Sequence, residues 1–448
     1  MKNENQTLSS KIANSATFKA IVICILILIM LVPVTMIGEL IKEREGTSKT
    51  VAYEIGSKWG NKQSITGPII GIPYRFNVVE NNVMREMTNT AYFLPEELNI
   101  ETDMQPEIRY RGIYKVIVYQ SKIKVNGIFK HPDFEKLSCN ANFIDWENAF
   151  ITIGISDLRG IRSDIIFNWD QTPIETMSGV GDSKLTDSGV TVKLPFMSEF
   201  REDETYKFDF ILTLNGSYGL FFVPVGKTTH VSIVSSWDSP SFDGAFLPDH
   251  REISPDGFKA KWSVFNYNRN FPQMWSGNDY QLQSSEFGAN LLLPVDHYQK
   301  ATRSVKYAVM FIALTFLVFF LVELLSNKRI HPLQYLLVSI GLVLFYSLLL
   351  ALSEQMHFNL AYLLSALAII ILITAYSHTV FKGIKQTIFM GIFLTVLYLF
   401  LYTVLQLEDL ALMIGSIGLF IALAAVMYTS RKVDWYQTQD DKPNASAE

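Results

Sequence analysis

Cysteine is almost missing from this chain: 448 residues hold only Cys24 and Cys139. The first sits in an apolar run and the second in a polar region, so a bridge between them is excluded, and no disulfide framework exists. Neither CxxC nor Cys/His metal spacing occurs, and no pair of histidines has the i, i+4 spacing of a metal-binding helix face. Charge is sparse as well, at 18% against a usual ~25%. The balance is −5, without the basic excess that a nucleic-acid partner requires. Serine elbows, fixed-period repeats and low-complexity tracts are absent too. Nothing in the sequence calls for a cofactor or a metal.

What is present is apolar, at 49% hydrophobic and 13% aromatic residues, and it is unevenly placed. After Thr302 come five apolar blocks, 305–325, 333–352, 360–376, 386–405 and 410–428. Each has about the length an α-helix needs to cross ~30 Å of hydrocarbon at ~1.5 Å per residue. A sixth, roughly 20–40, follows a polar tail (1–18) and opens at Lys19. It exceeds a signal-peptide core and no small-x-small site follows, so residues 19–41 read as an uncleaved transmembrane helix with a kink at Pro33. Val51, Ile55 and Trp59 recur at i, i+4, i+8 and continue it as an amphipathic stalk over 42–63.

From Ser64 the period changes. Runs at 69–79, 110–120, 122–129, 191–195, 205–214, 220–224 and 229–235 are rich in Val, Ile, Tyr and Phe. Turn signals punctuate them: Gly67-Pro68, Asn126-Gly127, His131-Pro132, Asn215-Gly216 and Asp256-Gly257. The fold expected is an α-helical integral membrane protein of six transmembrane helices, one N-terminal and five C-terminal (304–428). A large all-β periplasmic domain (64–303), sandwich or open-barrel-like, is inserted after the first, and a tail (429–448) ends the chain.

Loop charges orient it. Lys328, Arg329, Lys382, Lys385, Arg431 and Lys432 mark one side; the alternate loops carry Glu354, Glu408 and Asp409 and no Lys or Arg. By the positive-inside rule both termini are cytoplasmic. Lys42, Arg44, Arg303 and Lys306 run against this, but long domains translocate largely regardless of charge.

Several polar groups are candidates for function. Glu323, Glu354, Glu408 and Asp409 are costly in lipid, ~2.5–3.5 kcal/mol for Asp at a helix centre. They lie near helix ends, where an ion path, an outer polar latch and simple interfacial capping all remain open readings. Ala411, Gly415, Gly418 and Ala422 place small residues at helix-packing spacing. Asp157-Leu158-Arg159-Gly160 ends a strand-like run, and its Asp–Arg pair either locks a loop or binds an anion. Asp238 and Asp243 resemble a glycosidase carboxylate pair within a turn-rich loop. Asp296-His297-Tyr298 precedes the second helix, as an interfacial cap or as part of a triad that lacks its serine elbow. Trp59, Trp237, Trp262 and Trp275 serve either the core or a ligand.

Longer signatures then carry a resemblance. They include Trp59 with Gln63-Ser64-Ile65-Thr66-Gly67-Pro68, Ser156-Asp157-Leu158-Arg159-Gly160 and Asp296-His297-Tyr298. Arg303-Ser304-Val305-Lys306-Tyr307, His331-Pro332-Leu333-Gln334-Tyr335, Leu352-Ser353-Glu354, Glu408-Asp409-Leu410 and Asp434-Trp435-Tyr436 complete the set. Over nearly its whole length the chain resembles the CreD family of inner membrane, cell-envelope integrity proteins. It departs at Ser239, where relatives tend to carry a histidine before Pro-Ser-Phe. The resemblance implies a bacterial inner (plasma) membrane protein with a periplasmic domain, tied to envelope integrity and two-component stress signalling. It brings no reaction with it. The expectation is therefore a non-enzymatic protein whose outer domain binds an envelope protein or cell-wall ligand, with lipid as its other partner. An ion-coupled transporter using the outer carboxylates is the alternative, and an envelope hydrolase ranks below that.

Overall fold

A computed structural model of the chain describes residues 16–80, 83–137, 141–194, 205–277, 280–292, 297–325, 330–407 and 410–431. It falls into two compact units, Met1–Thr47 with Val295–Glu448, and Ser48–Pro294. The boundaries differ from 64 and 303 at both ends. Helix α1, Ala16–Trp59, runs unbroken through Pro33 and stops four residues short of the expected 63, because Gln63 already begins a strand. At ~1.5 Å per residue it is about 66 Å long, roughly twice the hydrocarbon thickness. At the far end, α2 (His297–Lys306) is helical and belongs to the helical unit, not to the β domain.

The β unit contains β1 (Gln63–Glu80), β2 (Val83–Phe93), β3 (Glu97–Arg111), β4 (Tyr114–Lys130), β5 (Phe143–Ile144) and β6 (Phe150–Ile155). After them come β7 (Ile166–Trp169), β8 (Thr172–Ser178), β9 (Gly189–Lys193), β10 (Thr205–Ser217), β11 (Gly219–Val223) and β12 (Thr228–Ser235). Last are β13 (Pro240–Gly244), β14 (His250–Ser254), β15 (Gly257–Phe265), β16 (Met274–Ser276) and β17 (Phe287–Leu291). One run of pairings is β7-β10-β4-β3-β12-β15-β14; the other joins β8-β9-β6-β1 to β2 and to β11-β17-β13. Residues from both runs fill one hydrophobic core. The sheet is mixed, since β1–β11 and β3–β12 are parallel, whereas short strands and turns alone point to antiparallel hairpins.

In β4, β10, β12 and β15 buried and exposed residues alternate, so one face packs inward and the other meets water. By contrast β11 is buried along its whole length. Three turn expectations fail here, the first being Gly67-Pro68, which lies inside β1. Asn126-Gly127 lies inside β4 and Asn215-Gly216 inside β10. A Cβ on Gly127 would sit 2.1 Å from the Glu97 carbonyl oxygen, and one on Gly216 would sit 2.3 Å from the Tyr119 hydroxyl. These glycines permit close approach between neighbours rather than chain reversal. Asp256-Gly257 does turn the chain, between β14 and β15.

In the helical unit, α1 and α2 are joined by α3 (Ala308–Leu325), α4 (Pro332–Ser353), α5 (Phe358–Phe381), α6 (Ile384–Gln406) and α7 (Ala411–Ser430). Among the described residues, α1, α4, α5 and α6 are long and apolar enough to cross a membrane. A fifth span is added if α2 and α3, bent by 43°, count as one; the apolar part of α7 is shorter. His331 starts α4 as a capping box, its Nδ1 accepting from Leu333 N (3.2 Å) while Gln334 Oε1 accepts from His331 N (3.0 Å), with Pro332 at the first helical position. Aromatic rings knit the interior: Phe345 meets Tyr398 at 4.7 Å and Tyr362 at 5.5 Å between centroids.

Candidate functional site

The densest polar constellation of the β unit forms where α1 ends. Gly60, at φ 140°, breaks the helix after Trp59, and a Cβ there would come 2.5 Å from the Asn215 carbonyl oxygen. Gln63 then enters β1 fully buried. Its Nε2 donates to the carbonyl oxygens of Asp157 and Asn215 (3.0 Å each), and its Oε1 accepts from Asp157 N and Ser156 Oγ (3.2 Å each). One glutamine thereby ties β1 to β10 and to the loop after β6.

Asp157 completes the clamp. It is 8% exposed, and four donors occupy its carboxylate. Asn61 N reaches Oδ2 (3.0 Å), Arg159 N reaches Oδ1 (3.2 Å), and the Arg159 guanidinium is bidentate, Nε to Oδ1 and Nη2 to Oδ2 at 2.9 Å each. Beside it Ser217 Oγ donates to Gly60 O (2.9 Å) and Ser217 N to Asn61 O (3.2 Å). Asn215, its amide oxygen turned toward Arg162, accepts from Nε (2.6 Å) and Nη2 (2.7 Å). Two cations approach the Trp59 ring, the Arg109 guanidinium at 3.6 Å and that of Arg162 at 4.9 Å from its centre, and its Nε1 donates to Tyr119 O (3.3 Å). The Asp–Arg pair is thus a structural clamp, with no carboxylate oxygen left over for acid–base work.

Burial alone would push the Asp157 pKa up; the side-chain bond from Arg159 and the N–H groups of Asn61 and Arg159 outweigh it, and the net is below the usual carboxylate value. A depressed folded pKa stabilises above the unfolded value of ~3.9, and that contribution is lost as pH falls through the folded pKa. Asp157→Asn is accordingly expected to lower the melting temperature of the full chain in detergent by a constant amount above about pH 5. The gap should close with acidification below ~4. A difference independent of pH from 7 down to 3 would contradict the clamp.

In the helical unit Glu323 is 3% exposed, deeper than a helix-end position implies. Its Oε1 accepts from Ile330 N (3.1 Å) and from Lys19 Nζ, and its Oε2 from Tyr335 Oη (2.9 Å). Sequence reasoning did not pair Glu323 with Lys19; the signal that could have found the pair is that these opposite charges fall at helix ends on the same expected side. Glu354 caps the C-terminus of α4 and accepts from Tyr298 Oη (3.2 Å). His297 opens α2, its ring 4.1 Å from that of Tyr298. Asp296, Glu408 and Asp409 lie outside the described residues, so a latch including them has no geometry here. Lys300 Nζ donates to Gln406 Oε1 (2.9 Å), whose Nε2 donates to Asn359 Oδ1 (2.7 Å).

The remaining candidates are dispersed. Asp238 accepts from Ser239 Oγ (2.9 Å), and Asp243 from Gly244 N (2.8 Å) and Asn290 Nδ2 (3.3 Å). Trp262 and Trp275 are core residues, and Trp237 Nε1 donates to Leu292 O (3.0 Å). On α7, Gly418 faces Phe400 so closely that a Cβ would lie 2.3 Å from its ring, Gly415 has Tyr307 at 3.8 Å, and Ala422 is half-buried. Ala411 begins the helix. Sequence reasoning missed Arg269, buried against Phe271 (4.4 Å) and bonded to Gln273 Oε1; burial pulls its pKa down to about 10.

Comparison with known proteins assigns the chain to a family. A family model described as Inner membrane protein CreD matches residues 15–436. The Inner membrane protein CreD of Escherichia coli (strain K12) is 34% identical over 429 residues, covering 94% of each chain. The chain belongs to the CreD family. With its apolar helices, this makes it an inner membrane protein in contact with the lipid bilayer. Solved structures add little: an M1 zinc metallopeptidase from Deinococcus radiodurans, 10% identical, aligns over 38% of each chain at a TM-score of 0.18. A mutant of that enzyme bound to a Tyr-Ser-Ala substrate aligns at 0.19, 11% identical, over 38% of this chain and 39% of its own. Such values carry no argument. Within this CreD-family chain, Trp59, Gln63, Asp157, Arg159 and Gly160, all part of the sequence signature, meet at one place.

Proposed function

We propose that this CreD-family protein supports cell-envelope integrity as a non-enzymatic binding or scaffolding protein. Its β unit lies in the periplasm and engages an envelope protein or cell-wall ligand. Six helical spans, α7 included, anchor it with both termini in the cytoplasm. The loop charges support that orientation, and the 20-residue α7 has about the ~30 Å needed for a span.

One observation carries the binding role. Beyond Arg75 in β1 and before Ala91 in β2, the two strands pair only with each other among the described strands, and this ribbon presents Val79 (67% exposed), Met84 (69%) and Met87 (51%). Unbranched thioethers adapt to an irregular apolar partner, and such side chains left to water mark contact surfaces. In cells lacking the native protein, full-length Val79→Ser/Met84→Ser/Met87→Ser at wild-type membrane level is expected not to restore tolerance of envelope stress, while Glu354→Gln does. The reverse pattern would replace this reading with an ion-coupled transporter.

A further inference from the structure

A second surface, inside the helical unit, has the build of a lipid site. Between α5 and α6 runs an open groove of about 860 Å³ on the face of the helix pair. Its walls are apolar, with Ile371, Ile388, Ile392 and Val396 exposed along the rim, and Gly391 forms its floor, where α6 comes so near Thr374 that a Cβ would lie 3.2 Å from the threonine side chain. The lining reaches from Ile370 to His378 on α5 and from Ile384 to Val396 on α6. At ~1.5 Å per residue these are about 12 and 18 Å, close to half of the ~30 Å hydrocarbon core. The groove is as deep as one leaflet.

Its shallow end is cationic. Lys382, which caps the end of α5 one turn after His378 on the groove wall, and Lys385, in the first turn of α6, are both exposed there. From Gln355 to Leu407 the sequence contains no Asp or Glu, so nothing in the helix pair neutralises those charges. An acyl chain fits the apolar part, and a headgroup attached to it would sit at the lysines. Basic clusters at the membrane end of a helix pair hold anionic headgroups.

We propose that the α5–α6 groove binds one anionic phospholipid from the leaflet bordering Lys382 and Lys385, its acyl chain along Gly391 and its phosphate between the two lysines. A second copy of the chain is the competing occupant of such a face, but it would bring the same lysine pair and the same lack of acids.

Native mass spectrometry of the purified full-length protein tests this with phosphatidylglycerol and phosphatidylcholine of identical acyl chains. Lys382 has φ 47°, so it is replaced by asparagine, which tolerates that conformation, and Lys385 by glutamine. Phosphatidylglycerol should be retained at one per chain in preference to phosphatidylcholine. Each substitution should weaken its retention roughly fivefold, and both together about thirtyfold. Ala375→Phe, on an exposed groove position, should reduce retention of both lipids without changing the melting temperature. Equal retention of the two lipids, or no effect of the lysine changes, overturns the proposal. So does a chain dimer that disappears with Ala375→Phe.

Discussion

Gly160→Ala is expected to destabilise the β unit by about 3 kcal/mol, because the added methyl meets atoms that cannot retreat. Its Cβ would lie 2.3 Å from the Asn215 carbonyl oxygen and 2.6 Å from Gln63 Nε2. The first is backbone within β10, held by the ladder to β4. The second is a fully buried amide already bonded to two carbonyls. Relief therefore requires opening the contact between the end of α1, β1 and β10. For a unit of this size the melting temperature should drop by roughly 6–12 °C. Gly46→Ala supplies the control: nothing lies within 4 Å of its Cβ, and a helix-interior alanine should gain about 0.5–1 kcal/mol. Thermal unfolding of the detergent-solubilised full chain compares the two. Equal behaviour of both variants would mean that the junction is not closed as described.

Glu323→Ala should have an effect of similar size in the helical unit. Breaking a buried ion pair costs about 3–5 kcal/mol, and the partial exposure of Lys19 places this pair at the lower end, near 3 kcal/mol. Alanine leaves Ile330 N and Tyr335 Oη without their acceptor as well as Lys19 without its counter-ion. Lys19→Met leaves an unpaired carboxylate that still has two neutral donors. The double variant Lys19→Met/Glu323→Ala should cost less than the sum of the singles by about 1–2 kcal/mol. Unfolding in mixed micelles measures all three. Additivity within ~0.5 kcal/mol would show that α1 and α3 are not coupled through this pair.

These two sites were unequally legible. Gln63, Asp157, Arg159 and Gly160 all belong to sequence signatures, and the spacing of Asp157 and Arg159 allowed a loop lock or an anion site; the structure shows the carboxylate reached by both the backbone and the guanidinium of Arg159. What spacing could not supply is Asn215, whose Asn-Gly dipeptide reads as a turn but sits in mid-strand. Local turn propensity yielded there to the crowding of Tyr119 and Gln63 against Gly216. In the helical unit, hydropathy finds the apolar blocks readily. It cannot tell a glutamate at a wetted helix end from one sealed by Lys19, Tyr335 and Ile330, because that depends on which helices adjoin.

By itself the sequence determined the class: long apolar blocks have only one comfortable solvent, and alternating β-branched and aromatic runs with turn residues between them make a sheet. It also carried the family. Only the tertiary structure decided strand order, the parallel pairings of β1 with β11 and β3 with β12, and the clamp below Trp59. The physical reason is range. Periodicity and turn chemistry act over a few residues, whereas Gln63 meets Asn215 across 152 positions and Lys19 meets Glu323 across 304. Contacts of that kind exist only once the whole chain has chosen its neighbours.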